Sequence, residues 1–255
     1  MDSLLTEQHE HIYTLTLNRV EKRNAFDDEL LEQLYQALCH AEKTPDIRVV
    51  VIKANGHHFS AGADLNWMKR MVTLSEADNR ADALRFAQIM HKLYQCPKPT
   101  LAVVHGATYG GGIGLIAACD IAIAADNATF CFSEVTLGLV PAVISPYIIK
   151  AIGERAANAL FLSAEVFNAT QATALHLVHH CVAKDSLSTY ALTYAQRIAG
   201  FSPQAVAAAK ALVRHASSQP INDALLTHTA ELIAKLRVSP EAQDALNSFI
   251  KQSLG

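Results

Sequence analysis

Apolar positions alternate between strand-like runs and helical stripes over the first half of the chain and give almost only helical stripes over the second. His11 to Asn18 (HIYTLTLN) is rich in β-branched and aromatic residues and predicts a first strand. Asp28 to Lys43 sets Leu30, Leu34, Leu38 and Ala41 on one stripe, which predicts a helix. Arg48 to Ala54 is a continuous apolar strand of the kind buried on both faces. Asn55 to Ala63 reads as a loop, with a short helix starting at Asp64. Ser75 to Asp78 reads as a capping box for a helix reaching about Tyr94, which Cys96-Pro-Lys-Pro99 stops. Strands follow at Thr100–His105, Asp120–Ala125 and Thr129–Phe132, with a helix opened by Gly110-Gly-Gly-Ile-Gly114. This repetition predicts an α/β fold.

Beyond Val140 helices are predicted at Ile144–Ile152, Glu154–Leu162, Thr170–Leu177, Leu187–Ala199, Pro203–Ala216, Asn222–Leu236 and Pro240–Gln252. One short strand, His179–Val182, interrupts them. The last four helices carry alanine-rich faces, suited to packing on the body or to an oligomer interface. Residues 1–190 are therefore expected as the core and 191–255 as a C-terminal helical region.

The chain has 255 residues, of which 51% are hydrophobic and 18% charged, ample for a packed core. A net charge of −3 with no dense basic stretch gives no pull towards nucleic acid or anionic lipid. The N-terminus has no basic start and no apolar run, so no targeting segment is expected. Thr100 to Ala125 is apolar, but its glycines, His105 and Asp120 argue against a membrane span. A cytoplasmic protein is expected. The five cysteines form no C-x-x-C pair, and Cys119, Cys131 and Cys181 sit in apolar sequence, which predicts buried free thiols.

Two turns share a design. His58-Phe-Ser-Ala-Gly-Ala-Asp64 and His105-Gly-Ala-Thr-Tyr-Gly-Gly-Gly-Ile-Gly114 each run from a strand into a helix N-terminus. First-turn amides lack intrahelical acceptors, and the helix dipole makes that end partly positive. Two such ends aimed at one point stabilise an oxyanion. Tight turns that merely pack a helix on a sheet are the plainer alternative for each taken singly. The glycine spacing does not fit the G-x-G-x-x-G dinucleotide fingerprint.

Over essentially its whole length the chain resembles the enoyl-CoA hydratase/isomerase (crotonase) family. The resemblance is carried by Asn18-Arg-Val-Glu-Lys-Arg-Asn-Ala25, Phe59-Ser-Ala-Gly-Ala-Asp-Leu65, Pro99–Gly106 with Gly110-Gly-Gly112, Cys119-Asp-Ile-Ala-Ile-Ala124 and Phe132-Ser-Glu-Val-Thr-Leu-Gly-Leu-Val-Pro141. It implies a crotonase (ClpP-like) spiral of β-β-α turns with a C-terminal helical trimerisation region, assembled as a homotrimer or a dimer of trimers. The implied substrate is an acyl-CoA thioester, with no separate cofactor and no metal. The oxyanion donors carry over as the N–H groups of Ala63 and Gly111, with Gly110 and Gly114 expected among the substrate-binding residues. CoA is expected along Arg23 to Ala25 and along Ala63, Asp64 and Leu65. Lys251 resembles the C-terminal lysine that approaches a CoA phosphate in some members.

Two departures stand out. Two-glutamate hydratases carry one Glu in the helix after the glycine turn and another about twenty residues later. Here the second is Glu134, and Gly114 occupies the first position. After Pro141 the family's glycine-rich stretch becomes Ala142-Val-Ile-Ser-Pro-Tyr147, which predicts a bulkier, more apolar pocket wall. With Asp64-Leu-Asn-Trp-Met-Lys-Arg-Met71, these segments resemble a bacterial subgroup that includes methylglutaconyl-CoA hydratases of leucine breakdown and related hydratases of acyclic-terpene breakdown. Such a substrate carries a second carboxylate. Lys69 and Arg70 are candidates to meet it, solvent-facing helix charges being the plainer reading. Trp67 reads as a wall or core residue.

Other crotonase chemistries (isomerase, thioesterase, decarboxylase) remain alternatives, and one acidic residue suffices for isomerisation. A non-catalytic RNA-binding or scaffolding member is disfavoured by the acidic charge. No H-E-x-x-H spacing occurs among the twelve histidines, and Ser60, Ser133 and Ser145 lack a nucleophile elbow.

Overall fold

Continuous apolar runs that bury both faces build the central sheet. In a computed structural model, which describes residues 2–253, six strands stand side by side. Met1, Leu254 and Gly255 lie outside the described residues. The strands are β1 (Leu4–His9), β2 (Ile12–Leu17), β3 (Val49–Ala54), β4 (Thr100–Val104), β6 (Ile121–Ala125) and β9 (His180–Val182), in the order β1-β2-β3-β4-β6-β9. The first pair is antiparallel and every later pair parallel. Leu15, Leu17, Val50, Ile52, Val104 and Ile123 are fully buried, as strands covered on both faces require.

A smaller sheet stands apart, formed by β5 (Ala107–Tyr109), β7 (Thr129–Cys131) and β8 (Phe167–Asn168). Single parallel bridges at Phe26–Ala63 and Ser60–Thr108 lengthen it. Each turn of chain therefore contributes to both the large and the small sheet, which is the layout of a spiral. The helices α1 (Asp28–Lys43), α2 (Leu65–Thr73), α3 (Glu76–Gln95), α4 (Gly111–Ala118), α5 (Ser145–Ser163), α6 (Ala169–Ala174) and α7 (Leu187–Ala199) punctuate the strands. Asp27, Asp64 and Ser75 cap α1, α2 and α3 by accepting backbone N–H groups. Gly153, at φ 78°, breaks α5 where two separate helices were expected.

The chain divides into two compact units after Ile198. Ala191 and Ala195 of α7 are buried within the first of these units. The second unit carries α8 (Pro203–Ser217), α9 (Asp223–Arg237) and α10 (Pro240–Ser253). Its Val213, Ile221, Leu226 and Val238 are exposed. Among the described residues no helix is long and apolar enough to cross a membrane.

Several expectations need correcting. The polar N-terminal segment, where no strand was expected, forms β1, an edge strand in which only Leu4 is buried. Its hairpin partner is β2, and backbone pairing forms it without apolar alternation. β5 and β8 are too short to leave a pattern. Cys131 is buried, but Cys181 is exposed on the outermost strand β9 and Cys119 is half-buried.

Arg19 and Asn24 knit the first loop to the sheet. The Arg19 guanidinium pairs with Asp27 at 2.7 Å and Asp64 at 3.1 Å and donates to the Ala25 carbonyl. Asn24 is buried at φ 54°, a left-handed conformation that asparagine tolerates. Its Nδ2 donates to the carbonyls of Asn55 (2.9 Å) and His58 (2.8 Å), and its Oδ1 accepts from Arg19 N–H at 2.8 Å. Asn24→Ala leaves these three backbone groups without that partner. It is expected to lower stability by about 3 kcal/mol in urea unfolding; a shift within error of wild type would contradict this role.

Candidate functional site

Parallel backbone pairing dictates which amides are free. At the first bridge Phe26 N–H donates to Gly62 O (2.7 Å) and Asp64 N–H donates to Phe26 O (2.8 Å). Phe26 thus bonds to both neighbours of Ala63, and the polar groups of Ala63 itself turn the other way. At the second bridge Ser60 N–H donates to Ala107 O (3.3 Å) and Tyr109 N–H donates to Ser60 O (2.9 Å). Gly110 N–H then donates to Cys131 O at 3.1 Å. Gly111 begins α4, where no intrahelical acceptor exists. Among the described residues neither Ala63 N–H nor Gly111 N–H has an acceptor.

The two turns touch. A Cβ on Gly62, at φ 89°, would stand 3.3 Å from Tyr109 O. Gly110 adopts φ 49° and ψ −120°, a conformation that L side chains rarely adopt. A Cβ there would also stand 3.1 Å from Glu134 Oε1, so the carboxylate of Glu134 lies directly over the second turn.

Glu134 opens a 3₁₀ turn, Glu134–Leu137, that follows β7. Its Oε2 is buried with no hydrogen-bond partner among the described residues. Burial pushes its carboxyl above the ordinary carboxylate range, against the opposing pull of its own backbone N–H. A buried acceptor left unpaired beside two unpaired donors is costly for folding and useful for binding.

These groups line one cavity of about 710 Å³. Phe26, Trp67, Met68, Met71 and Phe86 form one wall, and Leu137 to Ile144 the other. Phe86 sits against Phe26 and Trp67, with ring centroids 6.1 and 6.3 Å apart. Asn79 and Asp82 on α3 supply further polar groups. No Lys, Arg or His is among the described residues that line it.

The cavity also explains Gly114. A Cβ there would lie 2.2 Å from Ile144 Cγ2 and 2.9 Å from Ile144 Cβ. Ile144, 2% exposed, comes from the Ala142–Tyr147 segment. The space that a side chain at 114 would need is filled, so the two sequence departures are halves of one packing arrangement.

The other expected residues separate into groups. Arg23 to Ala25 lie beside the first turn, Ala61 N–H donating to Arg23 O at 2.9 Å. Asp64 is a structural cap: burial opposes its ionisation, but Asn66 N–H and the Arg19 charge outweigh burial and hold its carboxyl below the ordinary range. Leu65 is 74% exposed at the cavity rim. Lys69 and Arg70 do not line the cavity: Lys69 is exposed, and Arg70 pairs with Asp28 of α1. Lys251 is exposed on α10 of the second unit. Sequence reasoning missed Asp82, while Trp67, read as a wall or core residue, is 6% exposed and lines the cavity. Asp82 lies mid-helix, and its only advance signal is standing one turn before an aromatic residue.

A family model described as enoyl-CoA hydratase/isomerase matches residues 7–253. The 2,3-dehydroadipyl-CoA hydratase of Escherichia coli K12 is 33% identical over 254 residues, covering 99% of this chain and 97% of that protein. A crystal structure of a candidate enoyl-CoA hydratase/isomerase (crotonase) from Legionella pneumophila is 50% identical. It superposes with a TM-score of 0.95 over 99% of this chain and 97% of its own. An enoyl-CoA hydratase from Shewanella pealeana is 41% identical, with a TM-score of 0.94 over 98% and 94% of the two chains.

The Gly114–Ile144 contact is open to a double-mutant cycle. Gly114→Ala is expected to destabilise by about 1–3 kcal/mol through overpacking. In an Ile144→Ala background the same change should cost far less. Additive effects on the urea midpoint would show that the two positions do not share the space.

Proposed function

Because the chain belongs to the enoyl-CoA hydratase/isomerase family, we propose that it adds water across the α,β double bond of an enoyl-CoA. The observation that carries this is the unpartnered Oε2 of Glu134 over a turn whose Gly111 amide, like that of Ala63, is also unpartnered. The thioester oxygen accepts from both amides. Glu134 takes a proton from water as the water oxygen bonds to Cβ, and the electron pair of the double bond moves through Cα onto the thioester oxygen. The resulting enolate is held by the two N–H groups, each worth about 2.7–4 kcal/mol in such a site. Collapse of the enolate takes the proton from Glu134 to Cα. One carboxylate serves as base and then as acid, and the product is a 3-hydroxyacyl-CoA.

A raised pKa suits this double role, since a proton carrier works best near the operating pH. CoA is assigned to the Arg23–Ala25 and Ala63–Leu65 strip of the first unit. Exposed apolar residues on α8 and α9 support assembly as a homotrimer or a dimer of trimers.

For the acyl group, the aromatic and aliphatic walls and the lack of a lining cation favour an uncharged chain. The motifs around Asp64–Met71 and Val140–Pro146 favour a second reading, hydration of 3-methylglutaconyl-CoA to 3-hydroxy-3-methylglutaryl-CoA. The Escherichia coli relative is likewise named for a dicarboxylic enoyl-CoA. Double-bond isomerisation is the other chemistry that one carboxylate supports, and Ile144 in place of a second acid is consistent with it.

Loss of the conjugated thioester absorbance of crotonyl-CoA tests hydration, and its gain from a 3-enoyl-CoA tests isomerisation. Glu134→Gln is expected to lower the hydration kcat by about 10²–10⁴-fold; near-normal hydration would sink the assignment. The acid limb of the wild-type pH profile should lie above the ordinary carboxylate range. Stability should move the opposite way. A carboxyl whose folded pKa is raised stabilises fully below its ordinary value and loses that contribution as pH rises through the raised one. Glu134→Gln should therefore unfold later than wild type at neutral pH.

A further inference from the structure

The cavity holds a second carboxylate that the reaction above does not use. Asp82 and Phe86 lie one turn apart on α3 and so share a face. Phe86 Cζ stands 3.1 Å from where a Cβ on Gly111 would be, so this face looks onto the second turn. Both residues line the cavity.

Asp82 is held in place. Trp67, 6% exposed, donates its indole N–H to both Asp82 oxygens, at 3.1 and 3.0 Å. One shared proton leaves most of the carboxylate's acceptor capacity unspent. Asn79, three residues earlier on α3, spends its amide donors on the carbonyls of Met71 (3.1 Å) and Leu74 (3.2 Å). Its carbonyl oxygen is the polar group left over. The polar strip on this wall is therefore made of acceptors. No cation lines the cavity among the described residues, and the Arg70 guanidinium on α2 is paired with Asp28.

We propose that Asp82 is a specificity-determining residue that makes this cavity select uncharged acyl groups over those ending in a carboxylate. The inference rests on the reading of the cavity as an acyl-CoA site. An acyl carboxylate would meet the Asp82 and Glu134 carboxylates, with no cation lining the cavity among the described residues. Like charges about 5 Å apart in a partly buried site repel strongly enough to cost tenfold or more in affinity. Water hydrates an acyl carboxylate well outside the cavity, and no donor on the Asn79–Asp82 strip replaces that hydration.

The test is binding of two saturated thioesters of equal carbon count, pentanoyl-CoA and glutaryl-CoA, measured by calorimetry. Neither is a substrate for hydration, so the result does not depend on turnover. Wild type is expected to bind pentanoyl-CoA at least about tenfold more tightly than glutaryl-CoA. Asp82→Asn keeps the shape and an acceptor for Trp67 while removing the charge, and should reduce the gap to about threefold or less. Asp82→Ser serves the same purpose if the asparagine variant does not fold. Equal affinities in wild type would overturn the proposal, as would an Asp82→Asn variant that weakens both ligands by the same factor, the mark of a purely structural role. Hydration of crotonyl-CoA by wild type is scored separately. A preference that depends on Asp82 without hydration would sink the hydratase reading and keep this one, and hydration with no such preference would do the reverse.

Discussion

The site depends on one rule of parallel backbone pairing: a residue that bonds to both neighbours of its partner leaves the partner's own polar groups unpaired. Phe26 does this to Ala63. The start of α4 does the equivalent for Gly111. Free amides are usually a liability in a buried setting. Here the small sheet, which carries the bridges, holds both turns against each other, and the large sheet supplies the buried mass that fixes them. Arg19 and Asn24 tie the first turn into place from beneath, through Asp64, Ala25, Asn55 and His58. The donors are set before any ligand arrives, so little reorganisation remains for the reaction to bring about.

Much of this was legible in the sequence. The apolar runs that became β3, β4 and β6 are buried on both faces, and burial leaves a strong pattern. Asp64 and Ser75 announced the starts of α2 and α3 because a helix cap needs a short side-chain acceptor. Ala63, Gly111 and Glu134 were named from the family resemblance that the two glycine turns and the residues around them carry. Arg23, Ala25 and Leu65 were placed by the same resemblance, and the backbone bond from Ala61 to Arg23 shows how their two segments meet.

What was not legible depended on long-range contact. β1 is held by its hairpin partner and carries no periodic signal. Lys69 and Arg70 follow the first turn in sequence, but their side chains leave the cavity, Arg70 towards Asp28. Asp82 looks like any charge on an amphipathic helix until Trp67, fifteen positions earlier, closes on it. Gly114 and the Ala142–Tyr147 segment were noticed as separate departures. Only their packing in space shows that each makes the other possible.

That packing bears on how one carboxylate can do the work of two. A side chain at 114 would have met Ile144 and the Met90 sulfur. Ile144 fills that space and is, with Glu134, among the residues that line the cavity. Drier surroundings disfavour the ionised form, and burial is the leading cause of the upward shift at Glu134. A carboxyl with an ordinary pKa is a weak base and keeps almost no proton to return at neutral pH. Raising its pKa strengthens it as a base towards water and increases the share that holds a proton when the enolate needs one at Cα. On the proposed mechanism, the burial that raises the Glu134 carboxyl suits one carboxylate to both proton transfers.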